Sequence, residues 1–459
     1  MRRSVKKCCE FWDLYRVTDN TPSAGLLQRT LARACDIHPE ETRATLASFL
    51  LVLMLMASYY ILRPLRDAMA SDWTDAEVSW LWTFTFILST IAVSVYGAAV
   101  TRIRIERLVP SLYGFFALSF ALFYLGTQSM TDRVLLDKSF YLWISLFSLF
   151  HISVFWSFMA DTFSKPQATR LFGFIGAGAS IGAIAGPALA ALLVGGLGTE
   201  PLLLIASALI VLTLPIVHWL QRLKRTDLRN LDIAASKGDF EYIGGNPLAG
   251  FSEFLQSRYL LAIGLFIFFY TSIGSFVYFE LKNLLADYDR ETRSQIWASI
   301  DLVVNSLTVI IAAFATGRIA KHMGLSFTLA SVPVLIGAGL LVLAAAPMVS
   351  VVIAIQIVRR AGNYAISRPA REMLFTAVDR EVRFKAKPVI DIVIYRGGDM
   401  LNAWAFTALT QGLGLGMAAV AVCGTGIAAL WALTGIYLGR RFREMNPSGE
   451  ISDTALQVE

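Results

Sequence analysis

Charged residues are scarce in this sequence: they make up 16% of its 459 residues, whereas hydrophobic residues make up 56%. A soluble domain usually contains about 25% charged residues. The deficit is too large for a globular enzyme of this length, so we expect no enzymatic activity. It indicates a chain whose surroundings are mostly lipid.

Cysteine and histidine are also few, with four of each. Three of the cysteines, Cys8, Cys9 and Cys35, precede the first apolar run, and the fourth is Cys423. Cys8 and Cys9 are open to interpretation as a palmitoylation site or a metal-ligand pair, but ordinary thiols are favoured. We therefore predict no disulfide framework, no metal site and no cofactor.

The apolar residues form long unbroken runs rather than alternating patterns. A helix needs about 20 mainly apolar residues to cross the hydrocarbon core, and there only helices or closed barrels satisfy their backbone. No cleavable signal peptide is expected, because the first run is too long for one. The sequence predicts an all-α protein with twelve membrane helices, near 43–68, 77–100, 109–129, 139–161, 171–196, 200–220, 259–284, 296–316, 325–346, 348–372, 389–411 and 414–438.

The distribution of basic residues predicts the orientation. The two termini and the loops after spans 2, 4, 6, 8 and 10 contain about 28 lysines and arginines, and the opposite loops contain about four. Both termini are therefore predicted to be cytoplasmic, in a multi-pass protein of the cell (inner) membrane. The net charge of +6 follows from this asymmetry and does not suggest nucleic-acid binding.

Two halves of six helices are predicted, because their basic loops resemble one another. The loop at residues 102–107, after span 2, is similar to residues 318–322, after span 8. The loop at residues 163–170, after span 4, is similar to residues 378–385, after span 10. The fold expected is of the major facilitator type, with a substrate site between pseudo-symmetric halves near the midplane. The predicted divisions are a cytoplasmic segment 1–42, a first half 43–220, a linker 221–258, a second half 259–438 and a tail 439–459.

About fourteen charged side chains fall inside the predicted spans, where each would cost at least about 2.5–3.5 kcal/mol at the bilayer centre. They must therefore face one another, a wet cavity or the interface. Helical spacing places several on shared polar faces: Arg63 with Tyr59 in span 1, Lys282 with Tyr278 in span 7, and Arg359 with Asn363 in span 10.

An excess of positive charge facing a cavity predicts an anionic substrate, because arginine binds phosphate or carboxylate through two parallel hydrogen bonds. The predicted substrate-binding residues are Tyr59, Arg63, Arg66, Tyr278, Lys282, Arg359, Asn363 and Tyr395. The predicted coupling or gating residues are Asp67, Glu280, Asp301, Asp391 and Asp399. The alternative is that these charges form salt bridges between helices or anchors at the interface. That alternative is strongest for Arg368, Arg371 and Glu372, which approach the cytoplasmic end.

Span 5 contains glycine at every fourth position, Gly178, Gly182 and Gly186, followed by Pro187. Small residues at this spacing allow close helix packing. The pattern also resembles the Gly-Pro motif of facilitator antiporters, but packing is the favoured role.

Several segments together resemble the nonmitochondrial ATP/ADP translocase family of nucleotide transporters. Residues 59–67 are similar to the family's first-span motif, although Arg66 stands where a lysine is usual. Its signature in spans 4–5 is resembled by residues 155–158 and 167–174. Its signature in spans 10–11 is resembled by residues 371–373, 383–391 and 396–398. The resemblance covers most of residues 26–440 and implies exchange of a nucleotide-like anion.

One position departs from that family's pattern. The family tends to carry a lysine just after span 11's Arg-x-Gly, and this chain has Asp399. An anion here lowers the capacity of the cavity for phosphate charge, which argues against triphosphate exchange.

The function expected from the sequence is alternating-access transport, as an exchanger or proton-coupled carrier, of a nucleotide or related phosphorylated anion. Its expected partners are the lipid bilayer, a small anion such as ATP or ADP, and protons. Two alternatives stay open: a facilitator for another organic anion or a drug, and a non-transporting membrane protein on this fold.

Overall fold

A computed structural model describes residues 37–228, 249–312, 317–378, 382, 386–387 and 389–445. The described residues contain no strand. Cys8, Cys9 and Cys35 lie outside them. A short helix, Ala249–Gln256, precedes the seventh of twelve long helices. The long helices are α1 (Thr42–Met69), α2 (Asp75–Arg102), α3 (Ile105–Ser129), α4 (Val134–Thr162), α5 (Lys165–Leu197), α6 (Pro201–Thr226), α7 (Arg258–Leu284), α8 (Arg290–Ile311), α9 (Gly317–Ala345), α10 (Val349–Ala377), α11 (389–412) and α12 (Met417–Met445).

Eleven helices in the described part of the chain are long and apolar enough to cross a membrane. The exception among the twelve predicted spans is α11. Its regular α-helix covers only Tyr395–Thr407, with π-helical turns before and after it. Its polar residues explain the difference, since α11 packs between α2 and α7 rather than facing lipid along its length. The all-helical fold class is confirmed.

The packing of the helices repeats between the first six and the last six. Helix α1 packs against α4, α5 and α6, and α7 packs in the same way against α10, α11 and α12. Likewise, the contact between α3 and α6 corresponds to that between α9 and α12. The contact between α2 and α4 corresponds to that between α8 and α10. The two sets meet mainly where α2 packs on α11 and where α5 and α1 pack on α8. Most of the linker predicted at 221–258 lies outside the described residues.

Close packing of α1 on α5 depends on the glycines of α5. A methyl group added at Gly182 would lie 2.3 Å from the backbone oxygen of Leu53, and one at Gly178 would lie 2.6 Å from that of Phe49. A methyl group at Gly186 would meet Ala57 in the same way, at 2.6 Å. The repeated glycines therefore let two backbones touch, as the packing interpretation predicts.

We call the end of the bundle where α1 begins and α12 ends the terminal side, and the opposite end the far side. The charge asymmetry predicts that the terminal side is cytoplasmic. With the native cysteines replaced by serine, we expect an impermeant maleimide to label Asp132→Cys in intact cells. Arg222→Cys should react only after permeabilisation, because both positions are exposed but lie on opposite sides. Equal labelling of both in intact cells would contradict this topology.

Candidate functional site

A cavity of about 630 Å³ lies between the two sets of helices. Its wall is formed by α1, α2 and α4 on one side and by α7, α10 and α11 on the other. Toward the terminal side it reaches Glu372 and Lys387, whose side chains are 40% and 36% exposed. The cavity is therefore open toward the terminal side, and its volume suits a small organic molecule.

Positive charge dominates the cavity. Eight cationic side chains line it against three carboxylates. The cations are Arg63, Arg66, Arg359, Arg360, Arg368, Arg371, Lys387 and Arg396, and the carboxylates are Asp67, Asp399 and Glu372. Several of these cations are largely buried, so water screens them less than it screens surface charges. The cavity therefore favours an anion.

A chain of buried ion pairs joins the two sets of helices at the cavity wall. Asp67 is 2.6 Å from Arg66 and 3.6 Å from Arg63. Behind the wall, Asp301 of α8 lies 3.5 Å from Arg63 and 2.5 Å from Arg360. The Arg360 side chain is only 2% exposed, and no hydrogen bond from its guanidinium to another described residue is aligned. Asp301 therefore neutralises Arg360 in a buried ion pair between α8 and α10.

Arg359 differs from its neighbour, since no carboxylate with a described side chain pairs with it. Its guanidinium donates two hydrogen bonds to the amide oxygen of Gln356, at 2.9 and 3.2 Å, and lies 5.5 Å from the ring centre of Tyr270. Neither partner neutralises its charge. Arg359 is therefore well placed in the cavity wall to bind an external anion.

Aromatic side chains close the cavity toward the far side. The hydroxyl of Tyr278 donates to Asp67 at 3.4 Å and lies 3.2 Å from that of Tyr141, which accepts from the indole N–H of Trp82 at 2.7 Å. Nearer the terminal side, Tyr59 stacks on His151 with ring centres 4.6 Å apart. These rings offer flat apolar surfaces beside Arg66, whose guanidinium lies 5.4 Å from the Tyr141 ring centre.

Beyond the rings, a set of ion pairs closes the far side; we call it the far-side gate. Lys282 lies 2.9 Å from Asp75, and Arg290 lies 2.7 Å from Asp72 and 2.9 Å from Asp137. Arg293 completes the gate at 2.5 Å from Asp72. Every carboxylate comes from the first six helices or the turn after α1, and every cation from α7 or α8.

Most predicted site residues lie together in the cavity wall. Nine of them line it: Tyr59, Arg63, Arg66, Asp67, Tyr278, Arg359, Asn363, Tyr395 and Asp399. Asp301 is buried directly behind the wall, and Glu280 is buried on α7 outside the lining. Lys282 lies in the far-side gate rather than in the cavity. The Asp391 side chain is outside the described part of the structure.

Helix α4 contributes residues that the sequence analysis missed. Tyr141, Ser145 and Ser148 line the cavity, and Arg66 donates to Ser145 at 3.4 Å. Their spacing of four and three residues places them on one helical face, which was the available signal. Because these residues are uncharged, the charge pattern does not predict them. Arg360, Tyr270 and Gln356 also line the cavity without being among the predicted site residues.

The comparisons with known proteins agree with this architecture. The model of the Major Facilitator Superfamily matches residues 48–369. A search of curated protein sequences finds no match. Among solved structures, a bacterial homolog of the human lysosomal transporter Spinster, in an inward-facing and unoccupied conformation, is 11% identical with a TM-score of 0.55. The alignment covers 90% of this chain and 98% of that homolog's chain.

Two further structures show the same fold. The nucleoside transporter NupG is 13% identical, with a TM-score of 0.57 over 88% of this chain and 99% of its own. A bacterial metal transporter is 14% identical, with the same TM-score over 87% of this chain and 98% of its own. At these identities the likeness concerns the fold alone. The match of the family model over most of the chain shows that it belongs to the Major Facilitator Superfamily.

Proposed function

We propose that this protein is a secondary transporter, acting as an exchanger, of a nucleotide or related phosphorylated organic anion. The observation that carries the proposal is the excess of eight cations over three carboxylates in the central cavity. With Asp301 behind the wall included, eight cations still face four carboxylates, and a phosphorylated anion would balance the remaining positive charge. Arginine suits it, because two parallel N–H groups match a pair of phosphate oxygens.

The aromatic wall supports a substrate that has a ring as well as a phosphate. Tyr59, Tyr141, Tyr270, Tyr278 and Tyr395 lie on the same cavity surface as the arginines. A base stacked on one of these rings places its phosphate within the cationic region. The sequence resemblance to nucleotide translocases agrees with this substrate class.

Transport would follow from exchange of ion-pair partners between two states. In the state described here the far-side gate is closed, and Asp67 and Asp301 neutralise Arg63. An anion bound between Arg63 of α1 and Arg359 of α10 joins the two sets of helices. It offsets the cost of breaking the far-side gate as the halves rock and the terminal side closes. The buried carboxylates Asp67 and Asp301 would then change partners.

A second candidate is a facilitator of another organic anion, because the same arginines bind carboxylates. A protein that moves no substrate is the third. Purified protein in proteoliposomes separates all three. Under our proposal, loaded unlabelled ADP accelerates uptake of labelled ATP, ADP or AMP, and a dicarboxylate at equal concentration does not. Uptake of a labelled dicarboxylate without uptake of any labelled nucleotide favours the second candidate, and no flux of either favours the third.

Asp399 should set how much phosphate charge the cavity accepts. It lies in the wall with its side chain 25% exposed, and its nearest cation is Arg396 at 4.0 Å, the limit of an ion pair. Two unit charges 4 Å apart interact by about 4 kcal/mol at an effective dielectric of 20. We expect Asp399→Lys to bind ATP more tightly relative to AMP, because it turns repulsion into attraction at the edge of a phosphate.

The affinities of ATP and AMP for both forms, measured by calorimetry, test this. The matched control is Asp399→Asn, which should shift the ratio in the same direction by a smaller amount. An ATP to AMP ratio that is unchanged in folded Asp399→Lys would remove this residue from the substrate site.

A further inference from the structure

A second, separate cleft opens on the terminal side between the start of α7 and the end of α12. It has a volume of about 590 Å³ and shares no lining residue with the central cavity. Three of its lining residues are arginines, Arg258 from α7 and Arg440 and Arg441 from α12. Tyr437, one turn before Arg440, lines it from the direction of the bilayer.

The cleft carries more positive than negative charge. Its one lining carboxylate, Glu444, accepts a hydrogen bond from Arg441 at 2.7 Å. Arg258 and Arg440 are exposed, and neither forms an ion pair with a described residue. Two guanidinium groups therefore face the cleft without a balancing charge from the described chain.

The corresponding end of the first half is different. Helix α6 occupies the place that α12 has in the second half, and it too ends in basic residues. There Lys224 lies 2.8 Å from Asp161, and Arg225 lies 3.1 Å from Glu106. The first half thus pairs two of its cations with its own carboxylates. The second half leaves two arginines beside a cleft, which indicates an external partner.

The position of the cleft identifies the kind of partner. Below Arg258, α7 presents Leu261 and Leu265 at helical spacings of three and seven residues. Below Arg440, α12 presents Tyr437 and Leu433 at the same spacings. All four are exposed apolar side chains in helices that can cross the membrane. Each helix therefore has an arginine at its end and an apolar stripe beneath it.

We propose that this cleft binds an anionic phospholipid. The phosphodiester would accept hydrogen bonds from Arg258 and Arg440, and the acyl chains would lie along the apolar stripes of α7 and α12. Basic pockets between membrane helices at the cytoplasmic surface recognise anionic headgroups in this way. The site is separate from the substrate cavity. The bound lipid would contact the start of α7, which follows the linker between the halves.

The test uses the full chain, purified and delipidated, and measures its melting temperature and the lipid retained in native mass spectrometry. Three probes are compared at equal concentration: phosphatidylglycerol, phosphatidylcholine and inorganic phosphate. Phosphatidylglycerol should be retained and should raise the melting temperature more than phosphatidylcholine does. Equal effects of the two lipids would overturn the proposal. So would stabilisation by inorganic phosphate alone that Arg258→Gln with Arg440→Gln abolishes and Arg359→Gln leaves intact, which would make this a site for a free anion.

Substitution then assigns the lipid to these residues. Arg258→Gln with Arg440→Gln should weaken phosphatidylglycerol binding about tenfold to thirtyfold, since each arginine near the surface adds about one factor of five. The matched control is Arg104→Gln with Arg107→Gln, two exposed arginines on the terminal side outside the cleft. Equal losses in both double variants would overturn the assignment. If the double variant does not fold, Arg440→Gln alone is used, and an unchanged preference for phosphatidylglycerol would overturn the assignment.

Discussion

Uptake of the anionic substrate should fall close to background in Arg359→Gln. Arg359 lies in the cavity wall, and among the described residues its partners are Gln356 and the Tyr270 ring, so its charge is available to an anion. A hydrogen bond to a charged group contributes about 1.5–3 kcal/mol. Its loss should lower affinity about tenfold to a hundredfold. Binding by calorimetry and uptake into proteoliposomes measure the two effects.

Two comparisons make this result specific. Arg359→Lys keeps the charge and loses the two-pronged guanidinium, so it should retain part of the affinity. Arg222→Gln removes an exposed arginine of α6 outside the cavity and should leave uptake unchanged. Wild-type uptake in folded Arg359→Gln would assign this arginine a structural role.

Loss of the Asp301 carboxylate should be the most destabilising single change near the cavity. Asp301 lies 2.5 Å from Arg360 and 3.5 Å from Arg63, and its side chain and that of Arg360 are each 2% exposed. Asp301→Asn keeps the shape but leaves buried positive charge without its partner. Breaking a buried pair in this way costs about 3–5 kcal/mol. We expect a clearly lower melting temperature and lower expression in the membrane.

The double variant Asp301→Asn with Arg360→Gln distinguishes this cause from a packing defect. Removing both charges should restore much of the lost stability, because the guanidinium that then remains beside position 301, that of Arg63, is also paired with Asp67. Asp399→Asn is the matched control, since that carboxylate is partly exposed and 4.0 Å from its partner. A melting temperature of Asp301→Asn equal to that of the wild type would contradict the charge-balance account.

The sequence predicts the fold well because membrane helices leave strong local signals. Apolar runs give the helices, and the echo of basic loops gives two related sets of six. Helix α11 shows the limit of this reasoning. Its span was predicted from composition at 389–411, but the π-helical turns and short central helix depend on how α2 and α7 enclose it.

The site was predictable where charge marks a helical face. Arg63, Arg359 and Asn363 lie in the cavity because a polar face in a membrane helix must turn away from lipid. Lys282 shows what spacing leaves out. It shares its polar stripe with Tyr278, yet one further helical turn carries its ammonium past the aromatic rings to Asp75. Helical periodicity predicts which face of a helix a side chain occupies. It does not predict how far along the helix axis the cavity extends, because that depends on the neighbouring helices.

The far-side gate has a consequence for how transport responds to membrane potential. Its three carboxylates belong to one half and its three cations to the other. When the halves rock apart, the paired charges separate mainly in the plane of the membrane, across the transmembrane field rather than along it, so they contribute little electrical work. Moving one net charge through 100 mV involves about 2.3 kcal/mol. Any voltage dependence of the transport rate therefore reports the charge of the substrate and of any ion that moves with it, rather than the gate. The open far side then presents an anionic wall opposite a cationic one, and an incoming anion is guided along the wall formed by α7 and α8.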